Sequence, residues 1–200
     1  MKKQITTLVA ALLLTGVVQA AGNADAGKTK SATCMACHGA DGNSLNPVWP
    51  KLAGQHAQYI TKQLKEFKGG TRTDPMMAPM AAPLSDEDMA DLAAYFSSQK
   101  RSAGTAAAEQ VELGQKIFRA GNAKSGVTAC SACHGPTGSG NPAADFPSIN
   151  SQQAPYVEKA LKDFRAGTRT TDPNKMMRDI AAKMTDQEIA AVAQYVQGLQ

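Results

Sequence analysis

Apolar residues recur along this chain with a helical period. Met89, Leu92, Ala93 and Phe96 stand at i, i+3, i+4 and i+7, and Ile189, Val192, Ala193 and Val196 repeat that spacing. Each set places one apolar stripe on a helix. Ser85-Asp86-Glu87-Asp88 and Thr185-Asp186-Gln187-Glu188 precede the stripes and predict N-caps with acids in the first turn. Upstream, Ile60, Leu64 and Phe67 share one face of a helix predicted over His56 to Lys68, whose partner covers Gln153 to Arg165. The first helix of each half is expected to run into a Cys-rich motif. Strand signals are weak throughout, so the pattern predicts an all-α chain. Between these helices lie long irregular stretches rich in Gly, Pro and Met; a loop of that size in a compact domain implies that it wraps something.

These elements recur because the chain repeats itself. Cys34-Met35-Ala36-Cys37-His38 returns as Cys130-Ser131-Ala132-Cys133-His134, at an offset of 96 residues. Pro50, Tyr59 and Phe67 return as Pro147, Tyr156 and Phe164 at an offset of 97, as does Gly70-Thr71-Arg72 as Gly167-Thr168-Arg169. Met76-Met77 returns as Met176-Met177 at an offset of 100. The drift assigns small insertions to loops. Gly27 pairs with Gly114 at an offset of 87, which leaves nine extra residues before the second Cys motif, around Ala120 to Val127. Ser97 to Ala108 is small, polar and aperiodic, and reads as a linker. The chain thus divides into a first domain over residues 21–97, a linker over 98–108 and a second domain over 109–200.

Residues 1–20 read as a signal peptide. Lys2 and Lys3 give a positive start, Ile5 to Val18 is largely apolar, and Val18-Gln19-Ala20 is a small-residue cleavage site, so the mature chain is expected to begin at Ala21. An uncleaved anchor is the alternative, for which the stretch is short. The expected location is a bacterial periplasm. The formal net charge of +4 falls to +2 without Lys2 and Lys3, and acids and bases are interleaved, which argues against nucleic acid as a partner. Aromatic residues make up only 5% of the chain, a thin supply for two small cores, and a large apolar cofactor is one way to staple such domains.

All four cysteines sit in the two Cys-x-x-Cys-His motifs. Two thiols three residues apart on a helical turn can each form a thioether to a vinyl group of one haem, and the following His then faces the iron; this is the signature of c-type haem attachment. A redox disulfide at such a motif wants a βαβ pattern, which is missing. A zinc ion shared by both motifs would leave six candidate ligands for four positions and no reason for the downstream repeat. The expected cofactors are two haem c groups, bound through Cys34, Cys37, Cys130 and Cys133, with iron on His38 and His134.

A second axial ligand must come from downstream. Of the candidates after His38, His56 aligns with Gln153, Met80 with Ile180, and Met89 with Ile189 on a core face. Only Met76-Met77 is matched by Met in both halves. A thioether is a soft ligand that favours reduced iron. Both Met residues of each pair keep equal spacing to the caps Ser85 and Thr185, so the repeat leaves Met76 or Met77, and Met176 or Met177, equally placed. Pro50 and Pro147 follow the His ligands by 12 and 13 residues; each either presents a carbonyl to the second ring nitrogen or simply breaks a loop.

Each half resembles a class I cytochrome c, with Cys-x-x-Cys-His near its start, a downstream Pro and a loop Met before the last helix. Two such halves in tandem, with Asp41-Gly42-Asn43-Ser44, Pro50-Lys51-Leu52-Ala53-Gly54-Gln55 and Ala93-Ala94-Tyr95-Phe96, closely resemble the cytochrome c4 family over essentially the whole mature chain. The resemblance implies two tandem domains, each wrapped around one covalent haem, packed with the haems near their mutual interface. It implies His/Met ligation by Met77 and Met177, eight residues before the caps, and carbonyls supplied by Pro50 and Pro147. It further implies a soluble electron carrier, not an enzyme, in a respiratory chain. Its partners would be redox proteins: a membrane-bound quinol-oxidising complex as donor and a terminal oxidase or reductase as acceptor, with loose membrane association. Differing loops, Asn43-Ser44-Leu45-Asn46 against Ser139-Gly140-Asn141, suggest unequal potentials. Two other readings compete. A di-haem, peroxidase-like enzyme needs an open iron and acid–base groups, for which His56 is the only spare histidine. A haem subunit of a larger oxidoreductase complex would carry a large exposed apolar patch.

Overall fold

The computed structural model describes residues 22–200; the segment read as a signal peptide and its expected cleavage point lie outside the described residues. The first half contains α1 (Ala24–Lys30), α2 (Ala32–His38), α3 (Ala57–Lys68), α4 (Met77–Ala81) and α5 (Asp86–Ser98). The second contains α6 (Ala108–Ala120), α7 (Ser131–His134), α8 (Ala154–Ala166), α9 (Met176–Ala181) and α10 (Asp186–Gly198). Among the described residues, extended pairing is limited to the isolated bridges Asn122–Val127 and Asn141–Phe146, so the fold is all-α.

The predicted caps form complete capping boxes. Ser85 and Thr185 accept from the amides of Asp88 and Glu188, whose carboxylates accept in turn from the cap amides. His56 and Gln153 are the N-caps of α3 and α8 rather than their first residues. The first helix of each half departs from the expectation. In the first half it breaks at Ser31, which separates α1 from α2. In the second, the nine-residue insertion intervenes: α6 stops at Gly121 (φ 69°), a tight turn closes through the Asn122–Val127 bridge, and only one helical turn remains as α7. The irregular middles also hold the short helices α4 and α9, which the apolar pattern did not reveal.

In each half the first helix packs against the last. Gly27 and Gly114 mark the closest approach: a Cβ at Gly27 would lie 2.0 Å from the carbonyl oxygen of Asp91, and one at Gly114 would lie 2.2 Å from that of Ala191. In the first half this contact is tied by Asp91, which accepts from the Asn23 amide at 2.7 Å and pairs with Lys30 at 2.6 Å. The second half substitutes apolar packing, with Ile117 and Phe118 fully buried against Ile189, Val192 and Val196. Ser31 occupies the place of Phe118 in the first half and is equally buried.

The halves meet across an approximate two-fold. Gln55 and Gln152 are equivalent in the repeat, and each reaches into the opposite half. Lys51 N–H donates to Gln152 Oε1 (2.8 Å), and Gln152 Nε2 donates to the Lys51 carbonyl (2.9 Å). Ser148 N–H donates to Gln55 Oε1 (3.0 Å), and Gln55 Nε2 donates to the Ser148 carbonyl (2.8 Å). All four residues are buried. The linker lies across both halves. Arg101 donates through Nε to the Ala53 carbonyl and through Nη1 to the Asn150 carbonyl, each at 2.8 Å. Lys51 Nζ holds the Ser102 carbonyl at 2.7 Å, and Gln197 Nε2 holds that of Thr105 at 2.6 Å.

Substituting Gly27 or Gly114 by Ala forces the crossing helices apart and is expected to cost about 2 kcal/mol or more. Urea unfolding of the two variants checks this, and a midpoint matching the parent protein in both would contradict the close approach.

Candidate functional site

One cavity of about 520 Å³ reaches both Cys-x-x-Cys-His motifs and both Met pairs. In the first half Leu52, Ile60, Leu64, Phe67, Leu92 and Phe96 line it; in the second, Ile149, Val157, Leu161, Phe164, Ile180 and Val196. The walls come from the inner faces of α3 and α5, and of α8 and α10, so the stripes predicted from sequence serve as core and cavity wall together.

Helices α2 and α7 carry the thiols and imidazoles. His38 and His134 each end their helix, and the glycine that follows, Gly39 (φ 83°) or Gly135 (φ 76°), turns the chain away. Both rings are largely buried. The Nδ1–H of His38 donates to the Pro50 carbonyl at 2.9 Å, and that of His134 to the Pro147 carbonyl, also at 2.9 Å. A carbonyl only accepts, so the ring proton sits on Nδ1 and the lone pair on Nε2. Burial depresses both imidazoles and outweighs the bond to proline, which acts the other way. Burial likewise pushes the Cys34 thiol up and that of Cys130 up to about 11. Among the described residues no three His, Cys, Asp or Glu side chains converge on a metal position.

The Met pairs open α4 and α9. In the first half Asp74 Oδ1 accepts from the amides of Met76 (2.9 Å) and Met77 (3.0 Å), fixing the helix start. In the second, Asp172 accepts from the Arg178 amide and from its Nε. Between Asp172-Pro173 and the Met pair stand two residues that the first half lacks, Asn174 (φ 51°) and Lys175 (φ 60°). The left-handed pair absorbs the extra length, so Met176 and Met177 still line the cavity, as do Met76 and Met77. Met76 and Met80 are more than half exposed, and Met77 less so. His56, by contrast, lies at the domain boundary, where its Nε2 donates to the Ser139 carbonyl at 2.9 Å.

Several cavity residues escaped the sequence reading. Arg72 and Arg169 stack on Phe67 and Phe164, each with its guanidinium carbon 4.5 Å from the ring centre. Each crosses to the opposite tyrosine, Arg72 to Tyr156 at 3.3 Å and Arg169 to Tyr59 at 2.8 Å. Arg169 is buried, its Nε has no protein partner, and its remaining bond goes to neutral Gln63 at 2.9 Å. The recurrence of Gly-Thr-Arg and of Tyr was a visible signal, but repetition alone did not say that the pairs cross.

These features fit a haem in each half. Apolar walls suit the macrocycle, paired thiols suit thioether formation, and a bare Nε2 suits iron. A buried guanidinium with an orphaned N–H and no paired carboxylate calls for an anion, which the acidic arms of a haem would supply.

Comparison with known proteins gives the same picture. The model of the family described as "Cytochrome c" matches twice, over residues 24–100 and 111–200. A cytochrome c4 of Pseudomonas aeruginosa is 50% identical over 200 residues, covering 100% of both chains. A protein named thiosulfate dehydrogenase electron acceptor, from Stutzerimonas stutzeri, is 40% identical over 196 residues, covering 94% of this chain and 90% of its own. The crystal structure of reduced recombinant cytochrome c4 from Pseudomonas stutzeri superposes with a TM-score of 0.88 at 47% identity, covering 90% of this chain and 100% of that one.

Substituting Asp74 by Ala removes the acceptor that starts α4. It is expected to cost about 1 kcal/mol and to speed hydrogen exchange at the Met76 and Met77 amides. Unchanged protection of both amides would show that the loop is held by other means.

Proposed function

The chain belongs to the cytochrome c4 family, a di-haem electron-transfer cytochrome with two covalently bound haem c groups, and we propose that His38 with Met77 and His134 with Met177 are its axial ligand pairs. Cys34, Cys37, Cys130 and Cys133 carry the thioethers. The observation that carries this reading is the twice-built arrangement of buried imidazole, proline carbonyl and paired thiols on the wall of one apolar cavity. On the same reading residues 1–20 are a signal peptide, 21–97 and 109–200 are the two haem domains, and 98–108 join them.

When bound, each haem supplies an iron that gains or loses one electron between Fe(III) and Fe(II). The chain supplies the rest. Pro50 and Pro147 hold the ligand rings in one tautomer and orientation and raise the basicity of Nε2. The thioethers of Met77 and Met177 favour the reduced state. The walls around Phe96 and Val196 keep water away, which restricts reorganisation and sets the potential.

The proposed role is that of a carrier and not an enzyme, since the one spare histidine is bonded at the domain boundary and does not line the cavity. We place its work in the periplasm, as a soluble protein with loose membrane association; among the described residues no helix is long and apolar enough to cross a membrane. A membrane-bound quinol-oxidising complex as donor and a terminal oxidase or reductase as acceptor fit a respiratory carrier. The relative named as an electron acceptor for thiosulfate dehydrogenase adds that kind of dehydrogenase as a donor.

Mass spectrometry of the native protein is expected to show two added haem masses per chain. Met77→Leu and Met177→Leu should each convert one haem from low-spin six-coordinate to a weaker-field state and lower one midpoint potential by on the order of 0.1 V. Met76→Leu and Met176→Leu should leave both spectra unchanged. Absence of porphyrin mass would overturn the reading, and a loss of ligation in the Met76 or Met176 variants would move the assignment by one residue.

A further inference from the structure

The peptide unit that orients each histidine has a second end. The carbonyl of Pro50 accepts from His38 Nδ1, and the N–H of the same peptide unit, that of Lys51, donates to Gln152 Oε1 in the other domain. The carbonyl of Pro147 accepts from His134 Nδ1, and its peptide N–H, on Ser148, donates to Gln55 Oε1 in the first domain. Each ligand imidazole is therefore the end of a three-member hydrogen-bond chain that starts on a side chain of the opposite domain. The glutamine oxygens are fixed in turn, because each also accepts from the amide of the next residue, His56 at 2.9 Å and Gln153 at 3.0 Å. The chains are buried along their length, with Gln55 6% and Gln152 4% exposed.

Hydrogen bonds in series through one amide polarise each other. An acceptor on the N–H pushes electron density toward the carbonyl oxygen and makes it a stronger acceptor for Nδ1–H. A stronger bond there raises the electron donation of Nε2 to iron, and donation favours Fe(III) over Fe(II).

We propose that Gln55 and Gln152 are crossed positioning residues, each tuning through one peptide unit the potential of the iron in the domain opposite its own. The proposal rests on the ligand assignment above. Reduction places one electron on iron, and the proton stays on Nδ1 throughout; no proton is released along the chain. The design makes domain docking a condition of the working potential, because neither ligand is fully polarised unless the other domain is seated.

The test is a spectroelectrochemical titration of the purified di-haem protein and its Gln152→Leu and Gln55→Leu variants, with each potential assigned to its iron by the Met77 and Met177 variants. In Gln152→Leu the ratio of Fe(II) to Fe(III) at fixed applied potential should rise about threefold at the His38 iron, the scale of one weakened buried hydrogen bond, with the His134 iron unmoved. Gln55→Leu should do the reverse. Where a leucine variant does not fold, Gln→Met at the same position fills the space with an unbranched chain and no oxygen, and repeats the measurement. A shift confined to the iron of the mutated domain, an equal shift at both irons, or no shift at either overturns the proposal while leaving haem binding intact. Failure to find two haem masses in the parent protein overturns the ligand assignment and the proposal with it.

Discussion

The imidazole of each Cys-x-x-Cys-His motif is held through Nδ1 by a proline carbonyl 2.9 Å away, which leaves Nε2 for the iron it is proposed to bind. Proline suits the task because its ring fixes φ and its loop cannot slide into a helix. The bond decides the tautomer, and burial of the ring keeps it neutral. Its surroundings hold the carbonyl in place: the glycine turns at Gly39 and Gly135 that end α2 and α7, and the cross-domain amide clamps on the next residue. The orientation of the imidazole in one half is thus not a property of that half alone.

Apolar packing and this polar framework divide the work. The stripes on α5 and α10 face inward, and the crossing with α1 and α6 is set by Gly27 and Gly114, where backbone meets backbone. The two halves reach similar shapes by different means. The first ties its terminal helices through Asp91, Lys30 and Asn23, whereas the second buries Ile117 and Phe118. Depression of the Asp91 carboxyl by Lys30 and the Asn23 amide makes the tie in the first half one that weakens as pH falls, while the apolar tie of the second is indifferent to pH.

Much of the local structure was readable in advance because its causes are local. Ser85 and Thr185 announce helix starts through their own hydroxyls and the acids three residues on, and Cys-x-x-Cys-His declares its chemistry by spacing. The repeat carried the rest of the site as far as Met76-Met77 and Met176-Met177, and no further, since both members of a pair share one register. The break at Ser31 and the start of α4, where Asp74 reaches two amides, are not visible in an apolar period. The crossed pairs, Arg72 with Tyr156 and Gln55 with Ser148, join residues 84 and 93 positions apart. The equivalent positions of Gln55 and Gln152 in the repeat hinted at a shared role, but only the two-fold packing discloses that each serves its neighbour.

The segment between the halves was legible as small and polar, which ordinarily describes slack chain. Its backbone is instead pinned by Arg101, Lys51 and Gln197, with Arg101 anchored in both halves at once. A tether held at these points restrains how far one lobe can swing from the other. Each such bond shortens the free length of chain between the halves, so an electron passing between the two redox centres has less need of a diffusive encounter of one lobe with the other.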